Sequence, residues 1–436
     1  MQQFNTFCLE AGGSVQGDIR VPGDKSISHR SIMLGSLAEG VTNVKGFLEG
    51  EDSLATLQAF CAMGVEIDRP ASGEVVIKGV GMRGLKKPDS DLNLGNSGTS
   101  IRLLSGLLAG QSFDVTMVGD ESLSKRPMRR VTGPLSQMGA EIAATDNGTP
   151  PLHVKGGKSL KGIEYDMPVA SAQVKSAILL AGLYAEGTTS VIEPAPTRDH
   201  TERMLTGFGY KVTRDGNRIS LDGGGQLQAT DVDVPADISS AAFFLVAASI
   251  TPGSDLVIRH VGINPTRIGV INILREMGAD IEVFNEAVVG GEPVADLRVK
   301  YSQLKGINIP EDQVPLAIDE FPAIFVAAAC AEGQTVLTGA EELRVKESDR
   351  IKAMADGLIA LGVDAQPQPD GIVINGGAIG GGTVDSVGDH RIAMSFAIAA
   401  LRAHDDIKIL NCANVQTSFP NFVQLAKQVG LKISSS

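Results

Sequence analysis

A short segment recurs six times along the chain, and its spacing constrains the fold more than any other feature. In each copy a helix-like stretch ends at an apolar residue and a glycine, and alternating apolar residues follow. The glycines lie 68 to 84 residues apart, at Gly64, Gly139, Gly209, Gly278, Gly362 and Gly430. Glycine is the usual residue in the left-handed position just after a helix, so each copy predicts a helix followed by a strand. Repetition at this interval indicates a chain assembled from repeated supersecondary units.

A second signature, Ala-Glu-Gly, follows an Ala/Leu-rich helix pattern at residues 38–40, 185–187 and 331–333. One unit therefore reads strand, buried helix, strand, outer helix, strand. Helices predicted over 28–37 and 173–184 are apolar on most sides and should be buried, whereas the helix predicted over 52–63 is amphipathic and should be external. Six units exceed a single core, so we predict an α/β protein of two domains that divide near residue 236. A strand-like stretch over 13–21 could complete either half.

The chain has 436 residues with 51 acidic and 38 basic side chains, a formal net charge of −13. This acidic balance argues against a nucleic-acid partner but not against an anionic substrate, because a local cleft can have the opposite sign. The longest apolar runs, 241–250 and 323–331, are too short to span a bilayer, and no signal peptide is recognised at the N-terminus. We expect a cytoplasmic protein with no membrane partner.

Cysteine and histidine usage indicates neither a disulfide framework nor a metal site. The cysteines at 8, 61, 330 and 412 form no CxxC pair, and the six histidines are scattered without ligand spacing. We therefore predict reduced, buried thiols and no bound metal.

Two clusters place cations and small residues at the start of predicted helices. Residues 23–30 contain Lys25, Ser26 and Arg30, and residues 95–102 contain Gly98 and Arg102. Backbone amides at a helix N-terminus bind oxyanions well when Lys and Arg are near. Either cluster alone could be an ordinary N-cap beside a solvated Arg. Their equivalent positions in successive repeats favour anion binding.

Two further cation clusters leave their function open on pattern alone. Residues 124–130 form a charge run that is usually a solvated face, although Arg126-Pro127 is expected to open a helix suited to an anion clamp. In the stretch 344–350, Lys346 and Arg350 are expected to share a helix face, with Glu347 tuned by Lys346. A salt-bridged surface helix explains that stretch equally well.

Two short stretches precede very apolar helices and add candidate site residues. Asp319 lies ahead of the helix predicted over 323–331, where it could be only an N-cap. Arg391 lies ahead of the helix predicted over 392–401 and is the better candidate for a substrate contact than the neighbouring His390, which is more often a capping or packing residue.

Taken together, the motifs resemble the 5-enolpyruvylshikimate-3-phosphate synthase family of enolpyruvyl transferases. They span nearly the whole chain in the expected order, as PGDKSISHR (22–30), LGNSGTSIRLL (94–104), SKRPM (124–128), ASAQVKSAILLAGL (170–183), TRDHTERML (197–205), RVKESDRI (344–351) and DHRIAMSFAIAAL (389–401). The resemblance implies a two-domain inside-out α/β barrel of six βαβαββ units, three per domain. Its domains would be 22–236 and 1–21 plus 237–436, with the active site in the cleft between them.

The resemblance also implies a reaction. The enolpyruvyl group of phosphoenolpyruvate would pass to the 5-hydroxyl of shikimate 3-phosphate, with release of phosphate, in the shikimate pathway of aromatic amino-acid and chorismate biosynthesis. The partners would be these two small molecules. No metal or organic cofactor is expected, and the protein should be a monomer. Because Gly98 has no Cβ, the phosphoenolpyruvate pocket is expected to admit glyphosate, an inhibitor of the family.

The resemblance assigns roles residue by residue. Asp319 would accept the 5-hydroxyl proton, Glu347 would protonate the methylene carbon, and Lys25 and Lys346 would stabilise the tetrahedral intermediate. Shikimate 3-phosphate would be bound by Lys25, Ser26, Arg30, Ser171, Ala172, Gln173, Arg198, Asp319 and Lys346. Phosphoenolpyruvate would be bound by Lys25, Asn96, Gly98, Arg126, Gln173, Arg350 and Arg391, with Arg102 lining the same site.

Two departures and two alternatives accompany this interpretation. The stretch 416–420 lacks a Lys that many family members carry before Thr-Phe-Pro, and Glu342 stands where many have Asn.

The related transferase acting on UDP-N-acetylglucosamine uses a loop Cys as proton donor, and residues 122–127 contain none. A non-catalytic anion-binding repeat protein would have no need of Asp319 and Glu347.

Overall fold

The computed structural model of the protein describes residues 5–436, which form two compact units. The central unit comprises Gly23–Val234 and the short segment Val289–Glu292. The terminal unit comprises the chain up to Pro22, Pro235–Val288 and Pro293–Ser436. The chain passes from one unit to the other after Pro22 and after Val234, and residues 289–292 belong to the central unit. They do so because Glu292 and Gly291 bond to side chains of residues 200–203.

Helices of the described residues are distributed evenly between the units. The central unit contains α1 (Lys25–Leu37), α2 (Glu51–Ala62), α3 (Gly98–Ala109), α4 (Arg129–Gln137), α5 (Ala172–Gly182) and α6 (His200–Gly207). The terminal unit contains α7 (Ile238–Ile250), α8 (Gly269–Glu276), α9 (Phe321–Cys330), α10 (Arg350–Ala360), α11 (His390–Ala399) and α12 (Phe422–Val429). Among residues 5–436, every helix is too short or too polar to cross a lipid bilayer.

Strands are short and alternate with these helices. In chain order they are β1 (Thr6–Leu9), β2 (Gln16–Ile19), β3 (Ala38–Glu39), β4 (Val41–Lys45), β5 (Glu66–Asp68), β6 (Glu74–Lys78), β7 (Leu92–Asn93), β8 (Val115–Val118), β9 (Glu141–Ala143), β10 (Leu152–Lys155), β11 (Glu164–Asp166), β12 (Thr188–Ile192), β13 (Thr213–Asp215), β14 (Arg218–Asp222), β15 (Leu227–Gln228), β16 (Val232–Asp233), β17 (Asp255–Gly262), β18 (Asp280–Val289), β19 (Glu292–Lys300), β20 (Gln334–Leu337), β21 (Asp364–Gln368), β22 (Gly371–Asn375), β23 (Gly382–Asp385), β24 (Ile407–Leu410) and β25 (Ile433–Ser435).

The four-stranded sheets of the central unit share one pattern of strand pairing. Their strand orders are β16-β4-β6-β5, β7-β8-β10-β9 and β11-β12-β14-β13. In each, the first pair is parallel and the two following pairs are antiparallel. A parallel pair needs a crossover connection, whereas antiparallel neighbours can follow one another directly. The shared pairing pattern is what a repeated supersecondary unit produces.

The terminal unit shows the same pairing. The sheet β23-β24-β1-β25 has a parallel first pair followed by antiparallel pairs. In β2-β17-β19-β18 the first pair is also parallel and the second antiparallel. The sheet β20-β22-β21 is antiparallel, and Asn308 adds a parallel bridge to Val336 at its edge. The N-terminal strands β1 and β2 both belong to this unit, which answers the question left open for residues 13–21.

Helices that are apolar on every side form the core of each unit. Every residue of α7 is buried, as is all of α9 except Cys330. A helix without a polar face is stable only when packed on all sides. In the central unit α3 and α5 approach closely at Gly106, where an added Cβ would lie 2.0 Å from the carbonyl oxygen of Ala177.

All six repeat glycines adopt the left-handed conformation, with φ between +79° and +115°. The predicted helix ends are therefore confirmed. The first helix begins at Lys25, three residues earlier than expected, because the side chain of Asp24 accepts the Ile27 amide and caps it. The prediction of buried thiols is wrong for Cys8 and Cys61, which are exposed.

The Gly106 contact generates a stability prediction. We expect Gly106→Ala to destabilise the central unit by about 2–3 kcal/mol, because the backbone of α5 must move to admit the methyl group. The matched control is Gly207→Ala, an exposed position at the end of α6 where an added Cβ would lie 3.7 Å from its nearest neighbour, the carbonyl oxygen of Gly290. It should stabilise by up to about 1 kcal/mol. Urea unfolding midpoints measure both, and equal midpoints for the two variants would contradict the packing argument.

Candidate active site

The N-terminus of α1 carries the first group of predicted site residues. Lys25 is the first residue of the helix and forms an ion pair with Asp52 of α2. Arg30 lies about one turn further on and is 5% exposed. Its Nη1 donates to the carbonyl oxygen of Ser26 at 2.9 Å. Lys25, Ser26 and Arg30 are therefore brought together, as predicted from the motif.

The buried charge of Arg30 is held by oxygen atoms that carry no formal charge. Besides the Ser26 carbonyl, it donates to Thr201 Oγ1 at 2.7 Å and to Ser176 Oγ at 2.8 Å. Burial lowers the pKa of Arg30 to about 10, and the carboxylate of Glu202 offsets only part of that effect. The charge of Arg198 also lowers the pKa of Arg30, so a second predicted phosphate ligand lies nearby. An anion bound here would restore part of the lost solvation.

Gly98 begins α3 between two guanidinium groups. A Cβ at this position would lie 2.9 Å from Nη1 of both Arg102 and Arg126. The side chain of Ser97 caps the helix by accepting the Ser100 amide at 3.1 Å. A helix N-terminus flanked by two cations and lacking a Cβ at its first residue is suited to a compact anion.

Polar contacts join this helix end to its neighbours. Arg102 Nη1 donates to Gln173 Oε1 at 2.8 Å, and Gln173 Nε2 donates to Thr99 Oγ1 at 3.2 Å. Arg126 donates to the side-chain oxygen of Asn96. Asn96, Gly98, Arg102, Arg126 and Gln173 therefore form one group in the central unit.

The expectation that Arg126-Pro127 opens a helix is wrong. A 3₁₀ turn over Leu123–Lys125 ends at Arg126, and α4 begins only at Arg129. Proline disfavours the helical conformation at the residue before it, and Arg126 is extended, with φ −80° and ψ 135°.

The remaining predicted phosphate ligands lie at the start of α5. Ser171 is the N-cap and its hydroxyl accepts the Val174 amide at 3.4 Å, while Ala172 is the first helical residue. Gln173 follows and contacts α3 as described above. Three helix N-termini of the central unit, those of α1, α3 and α5, thus carry the predicted substrate ligands of its motifs.

In the terminal unit, Arg350 lies among three carboxylates. It is 1% exposed, and its Nε donates to Asp389 at 2.8 Å, its Nη2 to Glu347 at 2.6 Å, and its Nη1 to Asp319 at 3.4 Å. Burial alone would lower the pKa of Arg350, but these carboxylates raise it above its usual value. The predicted clamp, base and acid are therefore in direct contact.

Asp389 organises this group from the N-cap of α11. It is 1% exposed and also accepts the Arg391 amide at 2.9 Å and the Ser348 hydroxyl at 3.0 Å. Burial would raise the pKa of Asp389, but the charges of Arg350 and His390 hold it below its usual range. The sequence analysis did not assign Asp389 a role, although an Asp ahead of an apolar helix is an N-cap signal.

Lys346 lies beside one of these carboxylates, Asp319, but not through a helix face shared with Arg350. Its Nζ lies 3.5 Å from Asp319 Oδ1 and 3.8 Å from Glu342 Oε1. The expected i, i+4 pairing of Lys346 with Arg350 on one helix is wrong, because a 3₁₀ helix ends at Val345 and α10 begins at Arg350. Asp349 is the N-cap of α10 and fixes that start.

Arg391 lies beside a second buried carboxylate. Its Nη1 is 3.8 Å from Oε1 of Glu320, which is 2% exposed and accepts the hydroxyl of Ser239. Arg267 donates to Ser239 Oγ at 2.6 Å and to Asp237 at 3.2 Å. The N-termini of α7, α9 and α11 are therefore connected. Glu320 and Arg267 carry no signal in the sequence that separates them from ordinary buried polar residues.

Both departures from the family pattern lie in the terminal unit. Glu342 is one of the groups beside Lys346, and Thr417 ends a 3₁₀ helix over Ala413–Thr417.

Within residues 5–436, no group of three or more His, Cys, Asp and Glu side chains is arranged to hold a metal ion.

The Asp389 contacts predict a pH-dependent contribution to stability. We expect Asp389→Asn to cost about 3 kcal/mol near pH 7, because it weakens the compensation of a buried guanidinium. Asp389 has a lowered pKa when folded, so its contribution is complete above its unfolded pKa of about 3.9 and disappears as the pH falls further.

Urea unfolding of both proteins between pH 3 and pH 7 tests this expectation. The exposed i, i+4 pair of Lys352 and Asp356 supplies the control, since Asp356→Asn should change stability far less. A difference between wild type and Asp389→Asn that grows as the pH falls below 4 would refute the assignment.

Comparison with known proteins adds evidence from outside the structure. The chain matches the EPSP synthase (3-phosphoshikimate 1-carboxyvinyltransferase) family over residues 9–425. A 3-phosphoshikimate 1-carboxyvinyltransferase of Methylococcus capsulatus is 70% identical over 430 residues, covering 99% of this chain and 98% of the relative. One of Nitrosococcus oceani is 65% identical over 432 residues, covering 99% and 97%.

A solved structure of EPSP synthase from Acinetobacter baumannii has a TM-score of 0.91 and 61% identity, and covers 99% of this chain and 100% of its own. The mixed α/β fold is therefore that of EPSP synthase structures. The sequence match, the full-length identity and the fold together show that the chain belongs to the EPSP synthase family.

Proposed function

We propose that the chain transfers the enolpyruvyl group of phosphoenolpyruvate to the 5-hydroxyl of shikimate 3-phosphate and releases phosphate. Its family membership supports this activity. The observation that carries it within the structure is the contact of Arg350 with both Asp319 and Glu347. Asp389 already compensates this buried cation, so a protein that only bound anions would not need two further, less buried carboxylates beside it.

The central unit is proposed to bind the phosphate groups. Shikimate 3-phosphate takes the N-termini of α1 and α5, through Lys25, Ser26, Arg30, Ser171, Ala172, Gln173 and Arg198. Phosphoenolpyruvate takes the N-terminus of α3, through Asn96, Gly98, Arg126 and Gln173, with Arg102 alongside. The short polar contacts among these residues support their acting as preorganised sites.

The terminal unit is proposed to supply acid–base chemistry. Asp319 accepts the proton of the 5-hydroxyl, whose oxygen bonds to C2 of phosphoenolpyruvate, while Glu347 donates a proton to the methylene carbon. Lys25 and Lys346 stabilise the resulting tetrahedral intermediate, and Arg350 and Arg391 bind the phosphoenolpyruvate moiety. Glu347, deprotonated by that step, then takes a proton back from the new methyl group, and the double bond reforms as phosphate leaves.

We also propose the finer architecture implied by the family. It is an inside-out α/β barrel of six βαβαββ units, in domains of residues 22–236 and 1–21 plus 237–436, with residues of both contributing to the active site. The shared pattern of strand pairing and the six left-handed glycines support the proposal of repeated units. The protein is proposed to be a cytoplasmic monomer with small-molecule partners and no cofactor.

Phosphate release tests the proposed activity directly. Phosphoenolpyruvate should yield phosphate only when shikimate 3-phosphate is also present. Release that instead requires UDP-N-acetylglucosamine would identify the sister transferase. Binding of both substrates without release would identify a non-catalytic anion binder and overturn the proposal.

Glu347→Gln tests the assigned acid. We expect turnover to fall by about 100-fold or more, because an amide of the same shape cannot donate the proton. Binding of shikimate 3-phosphate, measured by calorimetry, should persist. The control is Glu341→Gln, an exposed carboxylate of the neighbouring 3₁₀ helix, which should leave turnover unchanged. Turnover of Glu347→Gln within tenfold of wild type would remove Glu347 from this role.

A further inference from the structure

A chain of buried hydrogen bonds links three helices of the central unit. His29 Nδ1 lies 2.7 Å from Thr56 Oγ1, which lies 2.6 Å from Ser100 Oγ, which in turn lies 2.6 Å from Ser97 Oγ. All four residues are 0% exposed. None of them has a role in the proposed function.

The two ends of this chain lie at proposed substrate sites. His29 precedes Arg30 on α1, and Ser97 and Ser100 bracket Gly98 at the start of α3. The link between them is Thr56 on α2, a helix without a proposed substrate ligand. One turn before Thr56, Asp52 pairs with Lys25. Residues four apart share a helix face, so α2 contacts both substrate helices with one polar face.

Burying this network costs free energy, so the presence of polar rather than apolar side chains at these positions needs a physical explanation. Moving a polar group out of water costs free energy unless it finds a hydrogen-bond partner in the protein. Apolar side chains of similar shape would pack the same helices without that cost. Apolar packing is non-directional, however, whereas hydrogen bonds fix the rotation and axial position of one helix against another.

His29 takes part in this hydrogen-bond network as a neutral ring. Burial lowers the pKa of His29 well below its usual value, and Lys25 and Arg30 lower it further against the opposing effect of Asp24. The ring is therefore neutral at physiological pH. Its Nε2 is buried and has no hydrogen-bond partner.

Each of the three contacts can form with either atom as the donor, because a neutral imidazole and a hydroxyl group both donate and accept. At one end of the network, the hydroxyl of Ser97 also accepts the Ser100 amide as the N-cap of α3.

Resting on the proposed function, we propose that His29, Thr56 and Ser100 are positioning residues for phosphoenolpyruvate. They hold the first turn of α3, with the amide of Gly98 and the side chain of Arg102, at a fixed place relative to Lys25 and Arg30 on α1. A displacement of that turn would weaken phosphoenolpyruvate binding and leave the contacts of Arg30 and Ser171 to shikimate 3-phosphate in place.

Thr56 offers a matched pair of variants. Thr56→Val keeps the shape and removes the hydroxyl, whereas Thr56→Ser keeps the hydroxyl. We expect Thr56→Val to raise KM for phosphoenolpyruvate about tenfold, the affinity of roughly one hydrogen bond, with KM for shikimate 3-phosphate and kcat within about twofold. Thr56→Ser should restore the wild-type KM. An equal rise in both KM values, or the same KM for the two variants, would overturn the proposal.

A second measurement does not depend on turnover. Hydrogen–deuterium exchange of the amides of residues 98–101 should be faster in Thr56→Val than in Thr56→Ser, while the rest of α3 is unchanged. If Thr56→Val does not fold, Ser100→Ala breaks the chain at its next link and should give the same result. Unchanged exchange in a folded variant would overturn the positioning role. A wild-type protein that releases no phosphate would refute the proposed function, and the exchange result would still decide this inference.

Discussion

The burial of helices without a polar face determines where this protein can place chemistry. α7 and α9 are enclosed in their unit, as α3 and α5 are in theirs, so their sides offer almost no polar surface. Their N-termini still carry backbone amides that need acceptors. Cap residues such as Ser97, Ser171 and Asp237 supply some of them. The helix N-termini are therefore where the fold concentrates polar groups, and most of the predicted site residues lie at or beside them.

Arg30 and Arg350 are both buried cations, but their hydrogen-bond partners differ in charge. Arg30 bonds to hydroxyl and carbonyl oxygens, and burial lowers its pKa to about 10. Arg350 bonds to carboxylates, which raise its pKa despite burial. A phosphate dianion would supply the charge compensation that Arg30 has only in part. This local arrangement explains how a chain with a net charge of −13 can bind polyanionic ligands.

Sequence reasoning located the repeats and the motif residues because both depend on local chemistry. A glycine after a helix and a polar residue before one act within a few residues, so Gly64 and the cluster around Lys25 could be interpreted from pattern alone, whereas Ser171 was assigned only through the family resemblance. The predicted helix starts near Arg126 and Arg350 are wrong for local reasons. Pro127 keeps Arg126 extended, and Asp349 caps α10 so that this helix begins only at Arg350. The partners Asp52, Glu320 and Thr56 could not be predicted, since each meets its partner only through packing of helices distant in sequence.

The contact of Glu347 with Arg350 also bears on the order of events in the proposed mechanism. An acid that protonates a carbon must itself carry the proton when the substrate is bound. Protonation removes the charge with which Glu347 compensates Arg350, and so frees Nη2 of Arg350 to meet a substrate carboxylate. Asp389 keeps its lowered pKa and still bonds Nε and Nη2 of the same guanidinium. Arg350 can then exchange Glu347 for a substrate without losing its position, which is what a substrate clamp beside a proton donor requires.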